Sequence, residues 1–146
     1  MANNRTITAA NAIIIIQVAG LYDVGQRIQG FSADDISDTD SIEQAEFSMG
    51  VDGRLSAGYA PAAVPQNITL QADSLSNDLF ENWWAVEQQE RGKFIATGTI
   101  ILPALSRKYA LTRGFLRGYM PIPSLKRTIQ ARRYSLMWER VTPAPI

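Results

Sequence analysis

Hydrophobic and polar positions alternate with a period of two through much of the chain, and this pattern predicts most of its elements. Ala12-Ile-Ile-Ile-Ile-Gln-Val18 is a continuous β-branched run, the signature of a strand covered on both faces, and Arg27 to Phe31 predicts a second, shorter strand. From residue 44 the alternation is clean. Ala45, Phe47, Met49 and Val51 interleave with Gln44, Glu46, Ser48 and Gly50, and after Asp52-Gly53 the residues Leu55, Ala57 and Tyr59 interleave with Arg54, Ser56 and Gly58. A two-residue Asp52-Gly53 turn sets the apolar faces of these strands on opposite sides. A three-residue loop from Asp52 to Arg54 pairs Val51 with Leu55, Met49 with Ala57 and Phe47 with Tyr59, and so predicts a hairpin with one apolar and one polar face.

Pro61 and Pro65 mark a loop, after which Ile68, Leu70 and Ala72 alternate with polar residues as another strand. The period then changes to that of a helix, over about 74–91. Leu75, Leu79, Trp83 and Val86 form its apolar stripe, with Phe80 and Trp84 beside it. Ser74 or Ser76 suits the start, Asp78 and Glu81 the first turn, and Gly92 follows the end. Lys93 to Leu102 predicts a strand stopped by Pro103; Arg107–Met120 and Lys126–Val141 predict two more, separated by Pro121-Ile122-Pro123. Residues 32–42 carry Asp34, Asp35, Asp38 and Asp40 with little to bury and predict an acidic loop, while 142–146 predicts a loose tail. With no repeat and no linker, residues 1–146 are expected to form one domain, mainly β with one flanking helix.

Composition narrows the function. With 46% hydrophobic and 19% charged residues, the chain is expected to pack a core. It contains neither cysteine nor histidine, which removes disulfides, thiolate nucleophiles, Cys/His zinc sites and the usual general base at neutral pH. The apolar run from Ala12 to Ile16 is too short to span a bilayer, so no membrane partner is expected, and it reads as a strand rather than as part of a secretion signal. The zero net charge conceals a split. Residues 1–90 hold Arg5, Arg27 and Arg54 against thirteen acids, and residues 91–146 hold eleven Lys and Arg against Glu139 alone.

Candidate chemistry is sparse. The 34–40 aspartates lack the ligand order and glycine of a calcium loop, and Gly114-Phe-Leu-Arg-Gly118 lacks the glycine pattern of a phosphate loop, so no metal and no cofactor are expected. No spacing singles out a pair of carboxylates for hydrolysis. The expectation is no catalytic residue and no enzyme. The basic half does interleave Arg107, Lys108, Arg113, Arg117, Lys126, Arg127, Arg132 and Arg133 with Tyr109, Phe115, Tyr119 and Tyr134, which is the material of a sheet that binds single-stranded nucleic acid. That module is the competing reading.

The segment Ile68-Thr-Leu-Gln-Ala-Asp-Ser-Leu-Ser-Asn-Asp-Leu79, an alternating strand leading into a Ser-x-Ser-Asn-x-Leu helix start, resembles the tail tube proteins of contractile-tailed bacteriophages. The strand ending Tyr134-Ser-Leu-Met-Trp138-Glu139-Arg is similar to their closing strand. The resemblance implies a β-sandwich or barrel-like subunit with one flanking helix. It further implies self-assembly into stacked, hexameric rings that form a hollow conduit for DNA ejection, with tail sheath outside and tape measure protein and DNA inside. Such a protein belongs to the phage virion and is assembled in the host cytoplasm.

Two sets of residues follow as candidates. If the polar face of the 44–59 hairpin lines the channel, Gln44, Glu46, Ser48, Ser56 and Gly58 face DNA, because a row of cations there would hold phosphates. The charge split suggests a head-to-tail contact between rings, with the acidic residues Asp34, Asp35, Asp38 and Asp40 of one copy meeting Arg107, Lys108, Arg113, Arg117, Arg132 and Arg133 of the next.

Overall fold

The structure is a computed structural model that describes residues 11–31, 36–39 and 41–145. Its elements are strands β1 (Ile13–Val18), β2 (Tyr22–Ile28), β3 (Ser37–Thr39), β4 (Ala45–Met49), β5 (Leu55–Tyr59) and β6 (Val64–Leu70), helix α1 (Asn77–Glu90), then β7 (Ala96–Leu102), β8 (Arg107–Gly118) and β9 (Arg132–Pro145). Seven strands form one antiparallel sheet in the order β2-β1-β7-β8-β9-β6-β3, and β4 and β5 form a separate pair. The sheet curls until its two ends nearly meet. Phe31, just past β2, bridges Leu70 at the end of β6, and the Gln71 N–H donates to the Gly30 carbonyl at 2.8 Å. The curl stops short of closure, leaving a mainly β, barrel-like fold with one helix against it.

The interior comes from alternation. Ile14, Ile16 and Val18 of β1 are buried while Ile13 and Ile15 are half-covered, so this strand has one buried face rather than two. A turn in which the Leu21 N–H donates to the Val18 carbonyl returns the chain at Tyr22, earlier than the Arg27 start the pattern suggests. In β8 a bulge against β7 at Thr112-Arg113 shifts the parity, so that Leu111 and Gly114 both point inward. Opposite Gly114 lies Trp138, whose indole occupies the space a side chain at 114 would need: a Cβ there falls 2.2 Å from the ring. The Trp138 indole N–H donates to Gln66 Oε1 at 2.8 Å, and the Gln66 amide donates to Ser37 Oγ at 2.9 Å. This buried polar chain fixes β9, β6 and β3 to one another.

Helix α1 starts three residues later than its stripe suggests. Asn77 is buried at the first turn and its side-chain amide donates to the carbonyls of Gln71 and Ser74, each at 3.0 Å, so the segment from 71 to 76 is a built turn rather than helix. Leu79 and Trp83 are buried as expected and Val86 is half-buried, but Leu75 lies before the helix and is 85% exposed. Phe80 takes its place, stacked on Tyr134 with centroids 4.2 Å apart. At the other end the left-handed residue is Arg91 (φ 54°), not Gly92.

The tail also departs from expectation. Residues 142–145 are the end of β9, with Thr142 opposite Ala110 and Pro145 opposite Arg107. Beyond Trp138, β9 pairs with β8 alone among the described residues. Prolines at 143 and 145 are compatible with this because the N–H they lack is the one that would face the open edge, and they deny that edge two donors.

Three substitutions test the packing by chemical denaturation. Trp83→Ala is expected to cost about 3–5 kcal/mol. Leu75→Ala is expected to stay within about 0.5 kcal/mol of the unaltered protein. Gly114→Ala, by pushing a methyl group into the Trp138 ring, is expected to cost about 1–3 kcal/mol. A stable Trp83→Ala protein would remove the helix from the core.

Candidate assembly surfaces

The β4–β5 hairpin stands apart from the rest of the chain. Its ladder pairs Ala45 with Tyr59, Glu46 with Gly58, Phe47 with Ala57, Ser48 with Ser56 and Met49 with Leu55. The loop is therefore Gly50 to Arg54, two residues longer than the three-residue loop the alternation favours, and Met49 rather than Val51 faces Leu55. The Gly50 N–H donates to the Arg54 carbonyl at 2.9 Å, and Asp52 Oδ1 accepts from the Arg54 N–H, which organises the wider loop. A shift of two residues preserves parity, so the two-faced character survives.

Ala45, Phe47, Met49, Leu55, Ala57 and Tyr59 share one face, yet that face is largely exposed among the described residues: Phe47 is 67% and Tyr59 76% exposed. Large apolar side chains gathered on an exposed surface mark an interaction site. On the opposite face lie Glu46, Ser48, Ser56 and Gly58, with Gln44 at the root, where its carbonyl accepts from the Ala60 N–H. The hairpin thus brings the five proposed channel residues together, all exposed.

Of the residues proposed for the contact between rings, those that the structure describes are not gathered. Asp34, Asp35 and Asp40 lie outside the described residues. Asp38 sits on β3, where its carboxylate accepts from the Asn67 side chain at 2.8 Å and from Arg133 of the same copy at 3.2 Å. Arg113 lies 3.7 Å from Glu139, its cross-strand neighbour. Arg107, Lys108 and Arg117 are exposed, but 107 and 117 are ten residues apart along β8, roughly 33 Å of strand. Arg132 is not a surface cation at all. It is 4% exposed, ion-paired to Glu81 of the helix, and it donates to the Tyr119 hydroxyl at 3.1 Å and to the Met120 carbonyl at 2.7 Å. Its guanidinium also lies 5.5 Å from the Tyr119 ring and 5.6 Å from that of Tyr134.

This knot is the buried polar centre that alternation alone misses. Burial works to lower the Arg132 pKa, and its hydrogen bonds to Glu81 and Tyr119 outweigh that effect, so the group is held charged. The Tyr134 hydroxyl donates to Asn77 Oδ1 at 2.7 Å. Burial pushes the Tyr134 pKa well above the ordinary tyrosine range, with the positive Arg132 pulling the other way. The only clue in the sequence is the Ser-Asn-Asp helix start, whose Asn77 ties the turn, the helix and β9 together.

A tyrosine that holds its proton more tightly when folded stabilises the fold below the unfolded pKa of about 10 and loses that contribution as pH rises further. Stability measured by urea denaturation is therefore expected to fall more steeply between about pH 9 and 11 in the unaltered protein than in Tyr134→Phe. At neutral pH, Tyr134→Phe leaves Asn77 Oδ1 without its donor and is expected to cost about 1–3 kcal/mol. Equal alkaline slopes would show that Tyr134 ionises as freely as an exposed tyrosine.

Comparison with known proteins agrees with this architecture. Residues 5–142 match the family described as tail fiber protein gp32. Among solved structures, a chain of the anti-feeding prophage baseplate superposes with a TM-score of 0.64 at 10% identity, covering 99% of this chain and 98% of that one. A chain of the anti-feeding prophage cap, which terminates the tube, gives 0.61 at 16% identity over 100% and 95% of the two chains. A chain of the sheath–tube complex of the PVC extracellular contractile injection system gives 0.56 at 17% identity over 91% and 88%. No curated protein sequence matches. The chain belongs to the gp32 tail fiber protein family, and its fold is the tail tube fold found in the tube, cap and baseplate assemblies of contractile injection systems.

Proposed function

We propose that this chain is a structural subunit of a bacteriophage contractile tail tube, which assembles with copies of itself into stacked, hexameric rings around a conduit for DNA ejection. The observation that carries this reading is the β4–β5 hairpin: an exposed apolar face and an exposed polar face on a two-stranded element that joins no other strand among the described residues. A lone hairpin is marginal in water, and packing on a neighbouring subunit supplies what it lacks. In that arrangement the apolar face meets protein, and Gln44, Glu46, Ser48, Ser56 and Gly58 face the channel.

The fold shared with a chain of a sheath–tube complex supports sheath as the outer partner. Tape measure protein and DNA occupy the bore in turn, and the particle is built in the host cytoplasm. The role is not enzymatic, in keeping with a sequence that lacks histidine and cysteine. The competing nucleic-acid module draws less support. Arg132 and Tyr134 are buried, Tyr119 is stacked against Trp84 at 5.0 Å, and Arg133 and Arg113 already face carboxylates.

Size exclusion and negative-stain microscopy of the purified protein are expected to show rings or tubes; a monomer retained on single-stranded DNA at moderate salt would favour the nucleic-acid module. Phage carrying Glu46→Lys and Ser56→Lys together are expected to assemble normally but eject DNA more slowly, because cations on the wall hold phosphates. Unchanged ejection kinetics would place that face outside the channel.

A further inference from the structure

The hairpin has an apolar surface without a place to put it, and the same chain contains an apolar recess. At the side of the curled sheet where β3 and β6 approach β7 and β8, Ile14, Val64, Ile100, Leu102, Tyr109 and Val141 line a cavity of about 420 Å³ with few polar groups. It adjoins a groove that begins at the hairpin's own root, since Thr39, Val64 and Val141 line both, and Gln44 and Tyr59 line the groove. The hairpin does not fill this recess in its own copy, where Phe47, Met49 and Leu55 are exposed. Its root borders the groove, its short connections at 40–44 and 60–63 include Pro61, and its tip at Val51 lies roughly 20 Å from the root.

Charge also matches across two copies. The root and loop of the hairpin carry Glu43 and Asp52 against Arg54. The rim of the recess carries Arg140 in the groove, with Arg107 on the same face of β8 as Tyr109, against Glu139. Pro143 and Pro145 leave the open edge of β9 poor in donors, which favours seating of side chains over the addition of a strand at that end.

We propose that the apolar face of the β4–β5 hairpin, with Phe47, Met49 and Leu55, seats in the Ile100–Leu102–Val141 recess of the next copy, head to tail. The contact is heterologous: each copy offers one hairpin and one recess, so the association repeats until it closes a ring or extends a filament. Acidic groups on the hairpin and cations on the rim set its orientation. This inference rests on the tube reading for what the repeat builds, but the contact itself can be tested separately.

The chain has no cysteine, so two introduced ones report the contact alone. Under mild oxidation, a protein carrying both Met49→Cys and Leu102→Cys is expected to give a ladder of covalent dimers, trimers and higher species on a non-reducing gel. Either single variant is expected to stay monomeric, and an equal mixture of the two singles to stop at dimer. Met49→Glu with Leu55→Glu, both at exposed positions, is expected to abolish assembly and leave a folded monomer with the far-ultraviolet circular dichroism of the unaltered chain. Disulfide dimers of Met49→Cys alone would indicate a symmetric contact and overturn the proposal, as would the absence of a ladder from the double variant. Tubes in micrographs without a ladder would remove this contact and leave the tube reading standing. A ladder without tubes would do the reverse.

Discussion

The fold depends on the contact of one indole with glycine backbone. Trp138 lies across the inner face of β8 and β7 where Gly114 and Gly98 leave room: a Cβ at Gly98 would lie 3.4 Å from the ring and 2.9 Å from the Ile15 carbonyl oxygen. Glycine weakens a strand by its backbone entropy and by the missing side chain, so two of them at the centre of a sheet need a compensating contact. Here that contact also sets register. A slip of β9 by one residue puts Arg113 or Phe115 beneath the indole, and neither leaves space for it. The Thr112-Arg113 bulge serves the same end, since without its extra residue Leu111 and Gly114 could not both face inward. With Trp138 placed, its N–H reaches Gln66, Gln66 reaches Ser37, and the short β3 has a fixed neighbour.

A second, polar constraint couples the helix to the sheet. Arg132 and Tyr134 alternate on the inner face of β9, and each takes a partner from α1, Glu81 and Asn77 respectively. Buried polar groups are costly unless satisfied, so this arrangement tolerates few helix positions. Apolar packing of Phe80 and Trp83 alone would permit sliding along the sheet. The paired Asn77 and Glu81, one turn apart, do not.

Alternation made the strands, the hairpin and the helix legible in the sequence because each carries one apolar side, which the strands of the large sheet and the helix bury and the hairpin exposes. What it could not show is depth. Arg132, Gln66 and Asn77 are polar types that usually lie at the surface, and only the folded chain shows them buried and paired. Leu75 continues the helical spacing but lies in a turn that Asn77 organises through contacts invisible to periodicity. The prolines at 143 and 145 signal a break to a local reading, whereas an edge strand accommodates them. For the hairpin, parity was legible and register was not, because loops of three and five residues differ by two positions and preserve the same faces. The site was legible as two faces, but their exposure is a tertiary fact.

Folding also changes the meaning of the charge split. Three cations from the basic half, Lys93, Arg132 and Arg133, are paired with Glu87, Glu81 and Asp38 from the acidic half within the same copy. Part of the opposition between halves is thus satisfied internally. Among the charges that remain exposed are the acids of the hairpin and the cations at the start of β8, and exposed pairs of this kind contribute only about 0–1 kcal/mol each. Charge alone therefore cannot hold a repeating assembly together, whereas burial of several large apolar side chains per contact can, at roughly 1.5–3 kcal/mol for each one fully buried. Electrostatics is left with the selection of orientation, and the apolar face of the hairpin with the cohesion.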